Sequence, residues 1–122
     1  MKLENMTAIL NKIKECAPSP VRERFKRVGE ECVLARIMPK SFNGVLCESR
    51  LETVSIAKTY ESALESFDKI SDGLLELPSE DNDVVSVELK NVYIKYDTVS
   101  GMTRLFGVFE CYTEVERDEA DM

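Results

Sequence analysis

The stretch from Ser49 to Pro78 reads SRLETVSIAKTYESALESFDKISDGLLELP. Its opening, Ser49-Arg50-Leu51-Glu52, has the form of a capping box, with a serine N-cap and a glutamate three residues on. Leu51, Val54, Ala57, Tyr60, Leu64, Phe67, Ile70 and Leu74 then recur at steps of three or four. That spacing gathers them on one face of a helix, with Ile56 and Ala63 as a shoulder. Lys58, Glu61, Glu65, Asp68, Lys69 and Asp72 fall mostly on the remaining arc, and Gly73 and Pro78 are stop signals. The pattern predicts one amphipathic helix over Ser49–Leu77, of which about 25 residues span roughly 38 Å. Its apolar stripe requires a broad surface to cover it, either a sheet or a partner helix.

Upstream, Leu3, Met6, Leu10 and Ile13 line one side of a first helix over residues 2–15, which ends before Pro18. Ser19-Pro20 has the form of an N-cap followed by a first-turn proline and predicts a short second helix to Gly29. One side of it carries Val21, Phe25 and Val28, and the other Arg22, Arg24, Lys26 and Arg27, the densest basic cluster in the chain. That cluster reads either as a docking patch for an acidic or phosphate-bearing partner or as a solvated helix face. Cys32–Met38 and Val45–Glu48 read as two strands joined by a turn-rich link that contains Asn43-Gly44.

Downstream, Ser79–Asp83 is an acidic loop without the glycine and terminal glutamate of a calcium-binding loop. Val84–Val115 reads as a three-stranded meander. Val85, Val87 and Leu89 alternate with Ser86 and Glu88, and the phase slips at Lys90-Asn91, as at a tight turn or a bulge. Val92, Ile94 and Tyr96 resume the alternation, and Asp97–Gly101 is a hairpin loop. In the last strand Leu105, Phe106, Val108 and Phe109 are apolar on both sides, which predicts a strand covered on both faces. The tail, residues 116–122, is acidic.

The length of 122 residues predicts one domain, residues 1–115, with a core of its own. No apolar run is long enough to span a membrane, and the first residues lack the apolar segment of a signal peptide. A cytoplasmic protein is therefore expected. Cys16, Cys32, Cys47 and Cys111 are scattered, which predicts buried free thiols and no zinc site. Residues 1–50 carry ten Lys and Arg against six Asp and Glu, and residues 51–122 carry six against seventeen. The acidic second part argues against direct nucleic-acid binding, which depends on Lys and Arg at phosphates. It suits a basic protein surface or solubility.

Little in the chain points to catalysis. It has no histidine, which removes the commonest general base and every Ser-His or Cys-His nucleophile pair. The five glycines form no phosphate-binding loop, and Glu30-Glu31 and Glu80/Asp81/Asp83 sit where solvated acids are common. Neither an enzyme nor a cofactor is expected.

The order of helix, short helix, two strands, long helix and three-stranded meander resembles the Roadblock/dynein light chain superfamily. The likeness is carried by Val33–Met38, Val45–Glu48, the helix after Ser49, and Val84–Leu89, Val92–Tyr96 and Arg104–Tyr112. It implies an α+β fold, a Roadblock-like α/β/α sandwich with a five-stranded antiparallel sheet between helical layers in the order α-α-β-β-α-β-β-β. It also implies a non-catalytic adaptor or regulator that pairs with itself or a related chain and contacts a small GTPase or a larger complex. Candidate interface residues are Tyr60, Leu64, Phe67, Ile70, Val85 and Val87. The alternative reading is an acidic inhibitor that occupies a cationic, nucleic-acid-binding groove of a target.

Overall fold

The computed structural model describes residues 3–22, 30–42, 44–78 and 83–114. Its elements are α1 (Leu3–Cys16), β1 (Val21–Arg22), β2 (Cys32–Phe42), β3 (Leu46–Ala57), α2 (Tyr60–Leu75), β4 (Val84–Asp97) and β5 (Met102–Glu114). The strands form one sheet in the order β1-β2-β3-β5-β4. β1 runs parallel to β2, and every other pair is antiparallel. The sheet is therefore mixed rather than wholly antiparallel.

The expected long helix is two elements. Residues 49–57 belong to β3, and the helix starts only after Thr59, whose side chain accepts a hydrogen bond from the Ser62 amide at 3.1 Å. Ser49, Leu51, Thr53, Ser55 and Ala57 are buried at every second position, which is strand period. Leu51, Val54 and Ala57 fit a three-residue step by coincidence. The serines and threonines that complete the two-residue step are small enough to lie under a helix, yet they count as polar in a hydrophobicity pattern. The helix stripe holds from Ala63 onward, with Ala63, Phe67, Ile70 and Leu74 buried.

Three further expectations are corrected. Val21–Arg22 pairs as a strand beside Val33 and Leu34, not as a helix, and the rest of the expected second helix, residues 23–29, lies outside the described residues. The expected meander has two strands. β4 runs unbroken through Lys90-Asn91, where its register against β5 shifts by one residue, a bulge and not a turn. The order of the described elements is thus α-β-β-β-α-β-β. The tail after Glu114 lies outside the described residues.

Both described helices pack on the same face of the sheet, so among the described residues the other face carries no helical layer. Ile9 and Ile13 of α1 meet Phe67, Ile70 and Leu74 of α2 over Val33, Leu51, Leu105 and Phe109 in one core. The Phe67 and Phe109 rings stack at 6.2 Å. Along β5, Thr103, Leu105, Gly107, Phe109, Cys111 and Thr113 are buried beneath the helices, while Arg104, Phe106, Val108, Glu110 and Tyr112 are only half-buried on the other face. That second apolar set, which suggested cover on both sides, packs instead within the bare face.

Candidate interaction surface

The bare face is built from alternate residues of four strands. Leu34, Val54, Phe106 and Tyr93 lie side by side across β2, β3, β5 and β4, in the row the strand registers set. Phe106 and Tyr93 stack at 4.7 Å, nearly parallel. At one end of this row, Cys32, Ile56 and Met102 form a small buried cluster against Leu34 and Val54. Toward the other end the face is charged. Lys40 lies 3.5 Å from Glu48 and 3.4 Å from Glu110, and Arg36 lies 3.4 Å from Glu52. A hydrogen bond from Ser41 to Glu48, at 2.9 Å, is the main cause that holds the Glu48 carboxyl below its ordinary range. Glu48 in turn is the main cause that raises Lys40. These pairs are exposed, so each contributes little to stability; they fix the face's charge pattern.

β4 is the edge strand on this side, and no described strand lies beyond it. Its helix-side row is Val84, Val87, Leu89, Val92, Ile94 and Tyr96. α2 covers the start of that row and leaves the rest open. Leu89 is 39% exposed, Val92 41%, Ile94 45% and Tyr96 63%. An edge strand offers unpaired backbone groups to any strand that reaches it. Here that edge is long and its open row is apolar. Lys90 stands at the bulge, paired to Glu88 at 2.7 Å, and this hydrogen bond is the main cause that raises its ammonium.

At the opposite end a groove of about 600 Å³ is lined by Leu10, Lys14, Val21, Arg22, Ala35, Arg36 and Ile37. A smaller hollow of about 210 Å³ lies between α2 and β3, with Ser19, Glu31, Ser62, Glu65 and Ser66 on its walls. Among the described residues, no group of three or more His, Cys, Asp or Glu is placed to hold a metal ion. No helix there is long and apolar enough to cross a membrane.

The expected interface residues separate. Phe67, Ile70 and Val87 are buried in the core of the single chain. Leu64 is half-buried beside that core. Tyr60 and Val85 are exposed. Of the expected basic patch, Arg22 donates to Glu30 at 2.8 Å, and Arg24, Lys26 and Arg27 lie outside the described residues. The surface that the sequence reading passed over is the open part of β4. Its alternation was legible, but its place at the edge of the sheet was not.

No protein-family model and no curated protein matches this sequence. Among solved structures, the chain is similar to a chain of the "Virion of native gene transfer agent (GTA) particle", with a TM-score of 0.60 and 13% identity over 89% of this chain and 93% of that one. A likeness at that identity is one of fold.

Proposed function

We propose that this chain is a non-catalytic assembly subunit, which acts by binding other chains, copies of itself first among them. The observation that carries the reading is the open β4 edge with its apolar row Leu89, Val92, Ile94 and Tyr96. A lone soluble domain gains nothing from a long, apolar, unpaired strand, and natural sheets usually blunt such an edge. The sequence also lacks histidine. The fold likeness to a chain from an assembled particle supports the same reading. The bare sheet face, apolar in its middle and charged at one end, gives such a subunit a second contact surface.

Sedimentation across concentration, at low and high salt, tests the reading. The expected result is a mass above the 13.9 kDa of one chain, rising with concentration and only modestly reduced by salt, because apolar burial is not screened. A single-chain mass at every concentration contradicts it.

A further inference from the structure

This inference rests on the assembly reading and names its contact. We propose that two copies pair β4 against β4, antiparallel across a two-fold axis, with Glu88 of each copy opposite Lys95 of the other, so that two sheets join into one.

The argument is one of register. The strand pairing with β5 places Ser86, Glu88, Lys95 and Asp97 of β4 on the bare face. It places Val87, Leu89, Ile94 and Tyr96 on the helix face. Residues directly opposite in an antiparallel pair share a face. With Glu88 opposite Lys95, Leu89 falls opposite Ile94, Val87 opposite Tyr96, and Ser86 opposite Asp97. Each of these pairs shares a face; unlike charges meet on one side of the sheet and apolar side chains on the other. With the bulged Lys90 of each copy left out of the count, Asn91 falls opposite Tyr93 and Val92 opposite Val92, so the two-fold axis passes at Val92 and these pairs share a face as well.

Neighbouring registers fail. A shift by one sets helix-face residues against bare-face residues. A shift by two in one direction sets Glu88 against Asp97, a like-charge pair on each side of the axis, and leaves Lys95 against Asn91. In the other direction it sets Glu88 against Tyr93 and Lys95 against Ser86, and neither charge meets its opposite. Lys90 and the bulge, which guard this edge against indiscriminate pairing, therefore leave one register open to a second copy. Both charged side chains are accessible for it: the Glu88 carboxylate is 54% exposed, and Lys95 is exposed, its Nζ 5.9 Å from the centre of the Tyr93 ring. A contact in which the same patch serves both copies closes at two chains.

The test is charge reversal on the full chain, read by sedimentation, with circular dichroism melts to establish that each variant is folded. Glu88→Lys and Lys95→Glu each create two like-charge pairs, one on either side of the axis, and each is expected to weaken dimerisation about ten- to a hundredfold. The two variants mixed together, and the double variant Glu88→Lys/Lys95→Glu, are expected to restore a two-chain mass. If the folded single variants associate as the original does, or if the mass grows past two chains, this register is overturned while the assembly reading stands. If the original chain stays single at every concentration, both fall.

Discussion

Cys111, near the end of β5, is fully buried, and burial pushes its thiol up to about 11 from an ordinary 9.0. A thiol whose folded pKa lies above its unfolded one holds its proton more tightly in the fold. It therefore adds stability that is whole below about pH 9 and is lost as pH climbs through 11. The rise corresponds to about 3 kcal/mol. Denaturant midpoints measured from neutral to alkaline pH should fall over that window. Cys111→Ala should flatten the fall even though the lost side-chain volume lowers the midpoint at neutral pH. An unchanged alkaline slope in the variant contradicts this account of the residue. The neighbouring Tyr112 hydroxyl is raised in the same direction, chiefly by desolvation, so part of the slope should persist. The reading of Cys111 as a buried free thiol was available from the sequence, because a scattered cysteine in an alternating apolar run has little else to be. The burial of Ser49, Thr53 and Ser55 was not, because no hydropathy pattern marks a small hydroxyl side chain as a core residue.

At the scale of elements, the meeting of α2 with β5 depends on Gly107. A Cβ there would stand 2.7 Å from Phe67 Cε2, 3.0 Å from Thr53 Oγ1 and 3.2 Å from Phe109 Cε1. The bare backbone lets the Phe67 ring lie down on the sheet. Gly107→Ala is expected to cost about 1–3 kcal/mol in denaturant unfolding, as overpacking does. A second change, Phe67→Leu, should recover part of that loss. Equal stability of the original and the alanine variant contradicts the close approach. Gly73 works in a similar way: a Cβ at that position collides with Cys16 Sγ, where the end of α1 crosses α2. The sequence reading took this glycine for a helix stop, but the helix runs on to Leu75 and the glycine serves packing. The same scale explains the larger misreading. A strand and a helix that abut across Lys58-Thr59 were read as one helix because Leu51, Val54 and Ala57 suit both periods. The hydroxyl residues between them, and the N-cap at Thr59, carried the boundary. β4 fared better: its alternation and the slip at Lys90-Asn91 were both visible, and the slip is a bulge.

For the whole molecule, strand order was the step that the sequence did not expose. Which strand ends at the edge follows from long-range pairing, here β3 against β5, and no local pattern encodes it. Among the described residues the count of five strands agreed with expectation, and three of them lie where expected, but Val21–Arg22 supplies one and β4 replaces two. Among the described residues both helices lie on one face and leave the other uncovered, and the strand order leaves β4 outermost. The edge's apolar row and the bare face follow from those two facts, and the assembly reading follows from the row. The charge asymmetry along the chain also acquires a place in space. The groove beside β2 carries Lys14, Arg22 and Arg36, while the exposed side of α2 carries Glu61, Glu65, Asp68 and Asp72.

The claim that β4 is a binding edge is tested most directly by hydrogen–deuterium exchange along Glu88–Tyr96 at rising protein concentration. In a single chain, the amides on the outer side of β4 face solvent and exchange fast. Pairing with another strand protects them. The account predicts that protection in this segment grows with concentration while that of the central strand β3 stays constant. Exchange in β4 that is identical at every concentration, in a protein that remains folded, would contradict it.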